Sequence, residues 1–158
     1  MHTQRLPYAP GDRLWVREAW RASKDYDAYP PREISPWPVH YEADGKPDPR
    51  DELGMNGRYR HARFMPRWAS RLTLIVTDVR VQRLQEISTD DVIAEGVSLP
   101  WVQGGTLAMM AQGIAKDGYR SLWNSLHGPD AWDANPWVVA LTFTVHRQNI
   151  DQMEKARG

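Results

Sequence analysis

The stretch that most restricts the fold runs from Arg67 to Val97, RWASRLTLIVTDVRVQRLQEISTDDVIAEGV. Leu72, Leu74 and Val76 alternate with Thr73, Ile75 and Thr77, which is strand periodicity with both faces partly apolar. At Thr77-Asp78 the phase slips, because Val79 and Val81 carry the apolar face onward on odd numbers. A single extra residue in an otherwise regular strand is what a β-bulge supplies, so one is expected there. Ile87-Ser88-Thr89-Asp90-Asp91-Val92 follows and reads as a helix start. Ser88 can cap the amide of Asp91, Asp91 sits in the positive first turn, and Ile87 can staple onto Val92. Gly96 supplies the left-handed stop. Glu95 therefore falls in the last helical turn, where the negative end of the helix dipole does not favour a carboxylate. Either it is an ordinary exposed acid or it has a functional role.

With 158 residues the chain reads as one domain, long enough to bury a modest core without staples. The absence of cysteine excludes disulfides, thiolate zinc sites and a cysteine nucleophile. No signal peptide or long apolar run is recognised, so a soluble, cytoplasmic protein with no membrane partner is expected. The balance of 20 basic and 20 acidic residues leaves net charge silent about partners. Charge distribution says more, since five arginines and no acid lie between Leu53 and Thr77, whereas Asp25 to Glu52 leans acidic. Eight tryptophans and twelve prolines suggest irregular loops pinned by large rings.

Pro10-Gly11-Asp12 is a turn signal, and Arg13 to Glu18 reads as a strand with Leu14 and Val16 on one face. Ser23 to Pro38 is expected to be an exposed loop, Val39 to Ala43 a short strand and Asp44-Gly45 its turn. Lys46 to Asn56 reads as a surface excursion, and Arg58 to Trp68 as an ordered loop. Thr106 can cap a weak helix through Ala115, interrupted by Gly113, with Met109-Met110 in the core. A second helix is expected where Tyr119, Leu122, Trp123 and Leu126 follow helical spacing, ended by Gly128. Trp132 to Pro136 is a turn, and Trp137, Val139, Leu141, Phe143 and Val145 share one side of a last strand. The segment 147–158 reads as a charged, frayed tail. The fold class is α+β: a small barrel of about five to six mostly antiparallel strands with two to three flanking helices, spanning 1–146 with an irregular excursion at 23–57.

The run Arg58 to Arg71 offers chemistry. Guanidinium forks bind phosphates and interleaved rings stack bases, together what a grip on unpaired nucleic acid requires. The alternative is a solvated loop whose rings cover one end of the sheet. Arg17-Glu18, flanked by Trp15 and Trp20, is a possible base or, by preference, an ion pair closing the barrel. The five histidines show no ligand spacing, so no metal is assigned, and no cofactor motif is present.

Pro10-Gly-Asp-Arg-Leu-Trp-Val-Arg-Glu-Ala-Trp20, His61-Ala-Arg-Phe-Met65-Pro-Arg-Trp-Ala-Ser-Arg71, Ala94-Glu95-Gly96, Leu122-Trp-Asn-Ser-Leu126 and Trp132-Asp-Ala-Asn-Pro-Trp137 occur in that order. This succession resembles the ASCH-domain family, most of all its phage and prophage branch, from about Pro7 to Val145. The resemblance implies a PUA-like barrel and a partner that is RNA or a modified nucleoside. On it, Arg5, Arg17, Arg60, Arg67 and Arg71 are candidates for nucleic-acid contact, with Trp68 or Trp15 stacking and Glu95 accepting from an exocyclic amine.

Some relatives remove the acyl group from N4-acetylcytidine, using a Lys-x-x-Thr element near the start and a Glu ahead of a small turn. Glu95 matches that Glu, and Thr3 and Arg5 match the second Thr and second Arg of Gly-x-Lys-Thr-x-Thr-Arg-Arg. Gln4 and Met1 depart from the pattern, and its Lys falls one residue before Met1. Thr3 and Glu95 then lack the cation of a catalytic set. A native start upstream of Met1 is the favoured expectation, and a binder without catalysis is the other. A phage accessory protein that docks a protein through its Trp-rich loops is a third.

Overall fold

The computed structural model describes residues 6–48, 50, 54–97 and 107–155, with side chains left undescribed at 107–112, 154 and 155. The element order is β1 (Arg13–Trp15), β2 (Trp20–Arg21), β3 (His40–Tyr41), β4 (Thr73–Arg83), α1 (Thr89–Ala94), α2 (Leu107–His127), β5 (Trp137–His146) and α3 (Ile150–Lys155), with short 3-10 turns between. This is an α+β chain with small antiparallel sheets and few helices. One sheet has the order β1-β4-β5 and the other pairs β2 with β3. Two compact units are present, Met1–Val79 with Leu141–Gly158, and Arg80–Ala140. No described helix is long and apolar enough to cross a membrane.

In the first unit, Pro10-Gly11 turns the chain into β1. Gly11 takes φ 92°, and the amide of Asp12 returns to the carbonyl of Ala9 at 3.1 Å. Proline second and a left-handed glycine third are the requirements of a type II turn. The Gly11 amide donates to the Val76 carbonyl at 2.7 Å, while the Val76 amide donates to the carbonyl of Asp12 at 2.9 Å. Two residues of the incoming strand thus oppose one of β4, the pattern of a glycine bulge. The phase slip at Thr77-Asp78 predicts an extra residue in β4; where the incoming strand meets Val76, the hydrogen bonds place an extra residue on that strand, at Gly11-Asp12. β1 and β4 pair antiparallel with Leu14 opposite Leu74, and Thr73 and Val76 of β4 are fully buried.

Trp20 anchors the other sheet. It is 0% exposed and exchanges both backbone hydrogen bonds with Arg60, at 3.0 and 2.9 Å. Ala22, Ile34, Met65 and Ala69 complete this core, with the Trp68 and Trp20 rings edge-to-face, their centres 6.4 Å apart. The stretch Ser23 to Pro38 is consequently not wholly exposed: 3-10 turns at Lys24–Tyr26 and Pro31–Glu33 bring Ile34 inward. Asn149 explains the tail. Its side-chain amide donates to the carbonyls of Arg67, Trp68 and Ser70, Thr73 Oγ1 donates to the Gln148 carbonyl, and Ile150 is buried. A tail expected to fray is instead docked and helical through Lys155 in α3, held by the Asn149 amide on three backbone carbonyls and by burial of Ile150.

In the second unit Ser88 caps α1, accepting from the Asp91 amide at 3.1 Å. At the other end the Gly96 amide bonds to the Ile93 carbonyl and the Val97 amide to that of Val92, a Schellman closure around Gly96 at φ 87°. Leu84, Ile87, Val92, Ala115, Tyr119 and Trp132 form the core. α2 is one helix of 21 residues rather than two. A single interior glycine costs about 1 kcal/mol and does not by itself break a helix. Of the expected stripe, Tyr119 is buried and Trp123 packs against the core, whereas Leu122 and Leu126 are 38% and 69% exposed; Ala115 completes the buried side. The alternating side of β5 also points outward at Trp137, Val139, Phe143 and Val145. Thr106 and the side chains of Met109 and Met110 lie outside the described residues.

Candidate nucleic-acid interface

The arginines picked out by sequence have unlike surroundings. Arg60 is 5% exposed, and its guanidinium donates to the carbonyls of Tyr26 (2.7 Å) and Tyr29 (3.2 Å). Burial lowers its pKa, with Arg58 adding repulsion. Its Cζ lies 5.4 Å from the centre of the Trp20 ring. Arg60 therefore ties the loop carrying the two tyrosines to the core. Arg71 forms two hydrogen bonds to Glu18 (3.0 and 2.8 Å) and two to Asp44 (2.6 and 2.9 Å), over the ring of Tyr41 at 3.9 Å. Hydrogen bonds to those carboxylates raise its pKa, Glu18 first. Glu18 thus pairs with Arg71 rather than with its neighbour Arg17. Arg67 pairs with Asp151 at 2.8 Å, and Trp68 is half-buried against the core. Thr3 and Arg5 lie outside the described residues.

Arg17 is different. The Val16 amide donates to the Leu72 carbonyl at 3.0 Å, and the Val16 carbonyl accepts from Ser70 Oγ at 2.8 Å, which fixes the end of β1. From this support the Arg17 side chain turns over the Trp15 ring, with Cζ 4.7 Å from the ring centre. Its Nη1 donates to the carbonyl of Arg63 at 3.2 Å. Arg63 opens a second cation–ring pair, its Cζ 4.6 Å from the centre of the Phe64 ring. The pair sits in the 3-10 turn Ala62–Phe64, capped by His61 Nδ1 accepting from the Arg63 amide. Met65, 3% exposed, pins the chain directly after the turn.

Arg17 and Arg63 are exposed, as is Phe64 at 50%, and neither guanidinium has an ion pair among the described residues. Glu18, the acid next in sequence, is occupied by Arg71. The result is a fixed bracket of two cations, each lying against a ring. Such a bracket suits a phosphate beside a flat, unpaired base. Arg63 and Phe64 lie in the arginine-rich run but are not singled out by sequence reasoning. Their signal is an Arg-Phe pair inside a turn closed by Met65-Pro66, which holds a ring outward.

Glu95, in the second unit, is the exposed C-cap residue of α1; its backbone amide donates to the Asp91 carbonyl at 2.9 Å, and its carboxylate has no hydrogen bond or ion pair among the described residues. Its charge adds to burial in raising the pKa of the Tyr119 phenol. Neither a protein-family model, nor a curated protein, nor a solved structure matches this chain.

Proposed function

We propose that this chain is an RNA- or modified-nucleoside-binding protein of the ASCH, PUA-like type, of phage or prophage character, which grips an unpaired strand. The observation that carries the reading is the exposed bracket of Trp15, Arg17, Arg63 and Phe64, linked by the Arg17 hydrogen bond to the Arg63 carbonyl. Two guanidiniums without carboxylate partners among the described residues attract an anion, and their rings favour a planar ligand. The PUA-like barrel is part of the proposal, supported by five strands among the described residues, of which β4 is the longest. Arg60 and Arg71 serve the fold in this account. Arg17 and Arg63 meet phosphate, and Phe64 stacks.

Fluorescence anisotropy of a labelled single-stranded RNA, against the same sequence as a duplex, tests this at low salt. Arg17→Ala and Arg63→Ala are expected each to reduce the salt slope of log Kd by about one. Phe64→Ala is expected to weaken binding roughly five- to hundred-fold. Absence of single-strand binding by the wild-type chain at low salt refutes the proposal. The second reading, hydrolysis of N4-acylated cytidine with Glu95 as base and Thr3 assisting, draws on the Glu95 carboxylate, which has no partner among the described residues. Release of acid from N4-acetylcytidine, followed by mass spectrometry and lost in Glu95→Gln, is its signature. Capture of a host protein that survives nuclease treatment is the mark of a protein-docking role instead.

A further inference from the structure

The second compact unit holds an exposed ring that the core does not need. Trp137, the first residue of β5, is 62% exposed, although tryptophan is the largest ring available for burial. It is nonetheless held firmly. Asn135 just before it has φ 41°, the only non-glycine residue with positive φ among those described. Left-handed backbone costs an ordinary side chain about 1 kcal/mol or more, and asparagine least among them. That turn serves as a hub: the Asn135 Oδ1 accepts from the Gln85 amide at 3.0 Å, and its carbonyl from Arg83 Nη1 at 3.2 Å. The Pro136 carbonyl accepts from the Leu84 amide at 3.0 Å, and Leu84 itself is buried.

Arg83 is thereby placed against the indole, with Cζ 4.3 Å from the centre of the Trp137 ring. Its guanidinium forms no ion pair among the described residues. The carboxylate of Glu86, close in sequence, accepts from the backbone amide of Arg83 at 2.8 Å rather than from the side chain. A cation with no carboxylate pair among the described residues thus lies over one face of a held, largely exposed ring. The charge selects an anionic occupant, and the flat indole selects a planar one.

The geometry points to a second nucleotide platform at Arg83–Trp137, on which one unpaired base of a nucleic-acid strand stacks while Arg83 meets its phosphate. The inference takes its class of ligand from the nucleic-acid reading of the first unit, but it assigns a separate site with separate residues. It is tested on the intact chain with a labelled single-stranded oligouridylate. Trp137→Ala is expected to weaken binding about ten-fold, with Trp137→Phe recovering part of the loss. Arg83→Gln is expected to lower the salt slope by about one, whereas Arg83→Lys keeps the slope and loses stacking. Because Trp137 is exposed, unchanged thermal unfolding of Trp137→Ala separates lost binding from lost folding.

Wild-type affinity in Trp137→Ala and Arg83→Gln, with the salt slope still reduced in Arg63→Ala, overturns this platform and leaves the first site standing. No binding of any strand by the wild-type chain overturns both. A Trp137-dependent affinity for an acidic peptide, without one for the oligouridylate, assigns the surface to a protein partner and likewise overturns the inference.

Discussion

Replacing Arg71 by Met separates a structural arginine from a ligand-binding one. Its guanidinium gives two hydrogen bonds to Glu18, whose side chain is 12% exposed, and two to Asp44, whose side chain is 52% exposed. Removing the cation leaves the Glu18 carboxylate largely buried and unpaired, which for a fully buried pair costs about 3–5 kcal/mol. Arg71 is itself 34% exposed, so water enters and the expected loss falls to about 2–3 kcal/mol. The Asp44 pair is more open and adds little. Urea unfolding followed by tryptophan fluorescence measures the loss. The double variant Arg71→Met/Glu18→Leu should recover most of it, since replacing both partners removes the stranded charge. A loss under about 1 kcal/mol, or abolished RNA binding at full stability, would falsify the clamp and make Arg71 a ligand contact.

Three further outcomes follow from named contacts. Ser88→Ala removes the acceptor for the Asp91 amide and should cost about 1 kcal/mol by urea unfolding, with Ser88→Asp retaining most of the cap. A Cβ at Gly57 would lie 2.5 Å from the Ala22 carbonyl oxygen and 2.9 Å from that of Ser23, both backbone atoms. Gly57→Ala should therefore destabilise by about 1–3 kcal/mol in thermal melts, and an unchanged melting temperature counts against the packing described. Acid sensitivity has a definite sign. Hydrogen bonding from Arg71 lowers the pKa of Asp44, and hydrogen bonding with Ser88, then Arg80, lowers that of Asp91. Carboxyls depressed in the folded state stabilise it above their unfolded pKa, so stability should hold above about pH 4 and fall as pH drops through the depressed folded values. A melting temperature flat from neutral pH to below that range contradicts it.

The features legible in the sequence were those with local causes. Ser88 and Gly96 bound α1 through contacts within a few residues, and Pro10-Gly11 sets its turn by backbone geometry alone. The long central strand and the last strand follow from alternation, although alternation did not reveal that Trp137, Val139, Phe143 and Val145 face outward. The fate of each arginine was not legible, because each partner lies far along the chain. Arg71 meets Glu18 across 53 residues, Arg67 meets Asp151 across 84, and Arg60 donates to Tyr26 across 34. Composition marks the Arg58 to Arg71 run as basic and aromatic but does not say which forks are occupied. Asn149 and Ile150 were likewise hidden in a segment whose charges suggested a loose end. Gly113 gave a false break, because propensity at one position yields to packing along α2.

The claim on which the account turns is that Trp15, Arg17, Arg63 and Phe64 hold an unpaired strand. Photocrosslinking of a 4-thiouridine-containing single-stranded RNA, with crosslinked residues identified by mass spectrometry, reads this directly. Crosslinks at Trp15 and Phe64 that disappear in Arg17→Ala/Arg63→Ala are the predicted result. Crosslinks absent from both rings, or unchanged in that double variant, contradict it.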